Sequence, residues 1–113
     1  MIILNQEMTK EELRSIAEEG FGEMVKVVVD VDLGLVAIDA ELHSDLEAYL
    51  LENGSKQKSL WGINYYPELE GEDFIEYDSM INIRPGQGNN SRGVEDESVR
   101  RKIVDITNKW IKG

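Results

Sequence analysis

Between Phe74 and Arg84 the chain sets Glu76, Asp78, Asn82 and Arg84 at even spacing. In an extended strand successive side chains alternate faces, so these four share one side with Met80, about 7 Å between neighbours. Ile75, Tyr77, Ser79, Ile81 and Ile83 fall on the other side and read as the core face. Two carboxylates, an amide and a guanidinium in a row can grip a polar ligand or a hard cation. The water-facing side of an antiparallel sheet carries the same kind of row. Two carboxylates on one strand can also work as general acid and base once one is desolvated, but nothing in the sequence marks such desolvation.

The segment that follows adds Gly86, Gly88, Asn89, Asn90, Ser91 and Arg92. Gly and Asn tolerate the alternating backbone that aims successive N–H groups into an anion-binding concavity. Arg84 and Arg92 can supply bidentate contacts to phosphate or carboxylate. The helix after them can point its positive end inward. Glu95, Asp96 and Glu97 already crowd that helix start and would repel an anion, and no P-loop pattern is present. An ordinary surface loop has the same composition.

His43 is the sole histidine, with Glu41 and Asp45 two residues to either side. One imidazole with unplaced carboxylates is a poor metal signature. His43 precedes Ser44, so a role at the start of a helix is the stronger expectation. Trp61, Ile63 and Tyr65 share one face of another strand and read as core. Asn64 and Tyr66 share the opposite face and would extend the polar row into a shallow pocket floor if the two strands pair.

These residues need elements to hold them. Ile2–Leu4 reads as a short edge strand. Thr9 and Glu12 form a capping box for a helix over 10–19, ended by Gly20. Val-rich residues 24–31, the Asp32-Leu33-Gly34 turn and residues 35–38 read as a hairpin. Three consecutive valines, Val27 to Val29, predict a strand buried on both faces. Ser44 and Glu47 suggest a second capping box, opening a helix that ends at Asn53-Gly54. Residues 60–66 and 74–83 read as two further paired strands, the second the longest. Val99, Ile103, Ile106 and Trp110 mark one apolar stripe of a final helix capped by Asp96 or Glu95. The expected fold is α+β: a two-layer sandwich in which a mainly antiparallel sheet of four to five strands packs against three helices. A crossover between residues 38 and 60, giving a mixed sheet, is the alternative.

The totals bound the rest. At 113 residues the chain is one expected domain, 1–113. It holds no Cys, which excludes disulfides, thiolate metal sites and Cys nucleophiles and suits the cytoplasm. No apolar run is long enough for a transmembrane helix, and the N-terminus has no signal-peptide pattern. The net charge of −11 argues against nucleic acid as a partner. Residues 1–83 carry 5 basic against 19 acidic residues, whereas residues 84–113 carry 7 basic against 4 acidic. Those tail cations can pair within the fold or form a local anion site.

Leu60-Trp61-Gly62-Ile63-Asn64, the whole of Phe74 to Pro85, and Asn90 to Asp96 are similar to a family of small prokaryotic proteins known only as a domain of unknown function. The opening residues 1–4 and segment 52–57 resemble it too. The resemblance implies a stand-alone cytosolic protein of bacteria or archaea and assigns no reaction, cofactor or site.

The residues therefore favour a binding module, using the 76–92 polar face and loop for a small anionic or polar metabolite. A protein-interaction or homo-oligomeric assembly role without catalysis comes second. A small hydrolase using Glu76 or Asp78 comes third. No cofactor and no metal are expected.

Overall fold

The computed structural model describes residues 1–113. Its elements are β1 (Ile2–Ile3), β2 (Met8–Thr9), α1 (Lys10–Glu19), β3 (Val25–Asp30), β4 (Leu35–Ile38), α2 (His43–Glu52), β5 (Leu60–Tyr65), β6 (Ile75–Glu76), α3 (Glu97–Trp110) and β7 (Ile111–Lys112). Five strands form one sheet in the order β1-β4-β3-β5-β6, and every neighbouring pair is antiparallel. β2 and β7 pair separately, in parallel, and tie the two ends of the chain together. The arrangement is α+β, with no mixed sheet.

Local signals account for most of this. Thr9 Oγ1 accepts from the Glu12 N–H at 3.1 Å, and Glu12 Oε1 accepts from the Thr9 N–H at 3.2 Å. Two donors at the start of α1 are thus satisfied reciprocally. Thr9→Ala is expected to lower stability by about 1 kcal/mol, read as a drop of roughly 4 °C in a thermal melt. In the hairpin, Asp30 Oδ1 accepts from the N–H groups of Asp32 and Leu33 at 2.9 and 2.8 Å, and Gly34 takes φ +70°.

Val27, Val28 and Val29 are all fully buried because the sheet is covered on both faces. On one face Val25, Val27, Val29, Ile63 and Tyr65 meet Leu13 and Ala17 of α1 and Ile103 of α3. On the other, Val28, Ala37 and Leu60 meet Leu46 and Leu50 of α2. α2 therefore lies across the sheet from α1 and α3.

Two local expectations fail. The capping box at Ser44 does not form. α2 begins at His43 with Leu42 as its cap residue, and no side chain caps it. Ser44 is already inside the first turn.

The expected long strand over 74–83 stops at Glu76, and Met80–Asn82 form a 3-10 turn. The assumed alternation of faces therefore ends at β6: Asn82 is fully buried, whereas Ile83 is exposed. Gly62 explains the departure. A Cβ placed on Gly62 would lie 2.5 Å from Ser79 Cβ, so Ser79 occupies space that only glycine leaves open. Ser79 is held there by donating its N–H to Arg92 O at 2.9 Å. Asn82 then replaces a backbone partner with its side chain. Its Oδ1 accepts from the Gly62 N–H at 2.8 Å, and its Nδ2 donates to Gly62 O and Arg92 O, both at 2.9 Å.

Arg84 continues the same edge. Its guanidinium donates to Leu60 O at 2.6 Å and to Gln57 O at 2.5 Å, and stacks 4.2 Å from the Trp61 ring centre. Burial lowers its pKa from the ordinary guanidinium value.

Candidate functional site

The sheet face that carries α2 extends past the start of that helix, and a cleft of about 460 Å³ opens there. Its floor is set by strand register. Lys26 of β3 lies opposite Asn64 of β5, and Asn64 lies opposite Glu76 of β6. Cation, amide and carboxylate thus form one row across three strands. His43 and Ser44 at the first turn of α2 make one wall, and Asp78 with Arg92 makes the other. Leu42 and Met80, 54% and 66% exposed, form its lips.

Each polar group has a defined state. Asn64 is 3% exposed, and its Nδ2 donates to Glu76 Oε1 at 2.8 Å. That engages the amide nitrogen and leaves Oδ1, a buried acceptor, with no partner. The Tyr66 hydroxyl donates to the same Glu76 oxygen at 3.1 Å. Desolvation first, then this bond to a carboxylate, raises the Tyr66 pKa. Arg92 Nε donates to Asp78 Oδ1 at 2.7 Å in a half-exposed ion pair. With Lys26 and Arg92 against Glu76 and Asp78, the cleft carries two charges of each sign.

His43 Nε2 lies 2.7 Å from Ile63 O. A carbonyl only accepts, so Nε2 carries the proton, and the neutral ring holds its lone pair on Nδ1. Desolvation is the main cause of a lowered His43 pKa, and the Lys26 charge adds to it. The Ile63 carbonyl, the Asn64 amide and the Asp78 charge oppose it. Below the ordinary value of 6.5, unfolded chains bind a proton that the folded ring resists. The contribution of His43 is therefore intact above that pH and shrinks as pH falls toward the folded-state value. Urea midpoints measured downward from pH 7.5 are expected to decline more steeply for the wild type than for His43→Gln.

The structure divides the residues singled out in the sequence. Glu76, Asp78 and Arg92 meet at the cleft. Asn82 and Arg84 are turned to β5 instead. Gly86 and Gly88 lie away from the cleft in a tight turn closed by Arg84 and Asn89, and Asn90 and Ser91 follow that turn, also outside the cleft lining. Gly88 takes φ +80°. Asn89 is buried. Its Nδ2 donates to Asn82 O and Gly93 O, both at 2.8 Å, and its Oδ1 accepts from the Glu95 N–H at 2.9 Å. The Asn90 N–H goes to Glu95 Oε2 at 2.7 Å, and Ser91 Oγ accepts from the Gly93 N–H at 3.2 Å. The loop is thus organised by its own amides and a glutamate, with Asn89 as the hub.

Several tail cations are also engaged inside the chain. Arg92 pairs with Asp78, Arg100 stacks on Tyr77, and Lys112 lies 3.8 Å from Glu7. No group of three or more His, Asp and Glu side chains is placed to hold a metal ion.

Sequence reasoning passed over Lys26 and gave His43 only a place at the start of a helix. Neither has a local signal, since one is placed by β3–β5 register and the other by a bond across 20 residues. Asn64 and Tyr66 do sit beside Glu76, as strand pairing suggested.

No helix is long and apolar enough to cross a membrane. No curated protein and no solved structure matches the chain. A family model described as a protein of unknown function, DUF5674, matches residues 2–110. That span takes in every element from β1 to α3 and the whole cleft, and the chain belongs to this family.

Proposed function

We propose that this chain is a small-molecule binding module whose site is the cleft between the start of α2 and the Glu76–Arg92 segment. One observation carries the reading: Asn64, almost fully buried, keeps an unpaired oxygen beside a neutral imidazole in that cleft. Buried polar atoms are paired nearly everywhere in folded proteins. An orphan costs about 1–3 kcal/mol, and a ligand that donates to it removes that cost. The cleft volume falls in the range of small-molecule sites. Of the residues expected to bind, the proposal keeps Glu76, Asp78 and Arg92, and it adds Lys26, His43 and Asn64. The lack of Cys suits work in a reducing cytoplasm, and the resemblance in sequence favours a prokaryotic one.

Titrating the full chain with a library of polar metabolites, while following amide shifts by NMR, tests the proposal. At least one compound is expected to move Lys26, His43, Asn64 and Asp78 together. Silence at these four residues across the library overturns it.

A further inference from the structure

We infer that the occupant of this cleft is a small zwitterion of the amino-acid class, its carboxylate held by Lys26 and the start of α2 and its ammonium by Asn64, Glu76 and Asp78. The inference rests on the binding reading above and adds the charge pattern of the ligand.

Asn64 Oδ1 can only accept, and with the ring proton on Nε2 the neighbouring His43 turns no donor to it. Glu76 engages Oε1 twice, with Asn64 and Tyr66, and Oε2 has no partner. Asp78 engages Oδ1 with Arg92, and Oδ2 has none. His43 Nδ1 is a further acceptor, since Nε2 carries the ring proton. The floor and the Asp78 wall of the cleft thus present three unengaged acceptors, two of them on carboxylates, and His43 Nδ1 on the facing wall adds a fourth. A group with several N–H donors and a positive charge satisfies them, which describes a primary ammonium.

The donors lie on the other side. Lys26 Nζ has no carboxylate partner and only rests 5.0 Å from the Phe21 ring centre. α2 starts without a side-chain cap. The first N–H groups of a helix have no acceptor inside it, and the helix dipole adds positive potential there. Those of His43 and Ser44 belong to residues that line the cleft. A carboxylate suits this end, where Asp45 is the single acidic residue of the first turn.

The balance of charge decides between the alternatives. An anion alone would face Glu76 and Asp78. A cation alone would face Lys26, Arg92 and the helix start. Lys26 and Glu76 stand at the two ends of a single row with Asn64 between them. The two outer strands are two sheet spacings apart, roughly 10 Å, and the Lys26 head rests against Phe21 with no carboxylate to hold it there. A ligand with both charges on neighbouring carbons would span that row once the head turns to it. Leu42 and Met80 at the lips would cover an apolar side chain.

The test titrates the full chain with the common L-amino acids, using butyrate and butylamine as single-charge controls. Backbone and Asn side-chain amides are followed by NMR. At least one amino acid is expected to shift the His43 and Ser44 amides and the Asn64 side-chain NH₂. It should bind about tenfold tighter than either control, the loss expected for one missing charge-assisted bond. Lys26→Met and Asp78→Asn, each with an unchanged melting temperature, are each expected to weaken that binding about tenfold. Butyrate or butylamine binding in the cleft as tightly as every amino acid overturns the zwitterion and leaves the cleft a binding site. No shift from any member of the panel also overturns it, and the metabolite library then decides whether the cleft binds anything.

Discussion

Asn82→Leu is expected to destabilise the protein by about 4 kcal/mol. The substitution leaves the Gly62 N–H, Gly62 O and Arg92 O without the side chain that pairs them. Unpaired buried groups cost about 1–3 kcal/mol each, and Leu fills the volume without pairing any of them. A thermal melt should show a midpoint about 15 °C lower, at roughly 4 °C per kcal/mol for a domain of this size. Asn82→Asp separates chemistry from shape. Its carboxylate still accepts from the Gly62 N–H but turns an acceptor toward two carbonyls. The loss at neutral pH should match or exceed that of Leu, and should lessen in acid when the carboxyl regains a proton to donate. An Asn82→Leu protein within 1 kcal/mol of wild type would mean that the edge of β5 is held by something else.

Gly62→Ala follows from the same corner of the fold. The new methyl would meet Ser79 Cβ at 2.5 Å, Ser79 Oγ at 2.6 Å and Ile81 Cγ1 at 3.1 Å. Ser79 cannot retreat freely. Its N–H is bound to Arg92 O, and its hydroxyl accepts from the Ile81 N–H. Overpacking of this kind costs roughly 3 kcal/mol, read as a shifted urea midpoint with an unchanged slope. Ser79→Gly opens the space from the other side, so the double variant should recover 1 kcal/mol or more relative to the sum of the single changes. Strict additivity would show that the two residues do not compete for one volume.

The sequence made α1, the β3–β4 hairpin, β5 and α3 legible because their causes are local. Thr9 and Glu12 are three residues apart, Gly34 sits in the turn it enables, and Ile103 repeats the helical period with Val99 and Ile106. Segment 74–83 misled for an equally physical reason. Its apolar residues alternate as in a strand, but whether a strand forms depends on what β5 offers opposite it. Gly62 admits Ser79, and the amide of Asn82 reproduces the donor and acceptor of a peptide group. Neither fact is visible within ten residues. The pairing of β2 with β7 joins the two ends of the chain and has no short-range signature.

The candidate site was half legible. Glu76, Asp78 and Arg92 were singled out by residue type and spacing, and they line the cleft. Asn82, Arg84 and Asn89 carry the same polar chemistry, but they satisfy backbone groups of β5 and of their own loop. An amide or guanidinium close to a sheet edge has that second use, and only burial distinguishes the two. Lys26 and His43 enter the cleft through contacts formed on folding, one by strand register and one by the Ile63 carbonyl.

The side chains of Asn82 and Arg84 along β5 have one more consequence. A sheet margin with free N–H and C=O groups invites another chain to dock and propagate into aggregates. Here β6 occupies only the Asn64–Tyr65 stretch, and the remainder is closed by an amide and a guanidinium that offer no ladder to extend. At the far margin, β1 is two residues long and gives an incoming strand little purchase. Resistance to intermolecular β-stacking on the β5 side thus depends on two side chains, and a single codon change at either would expose a template for it.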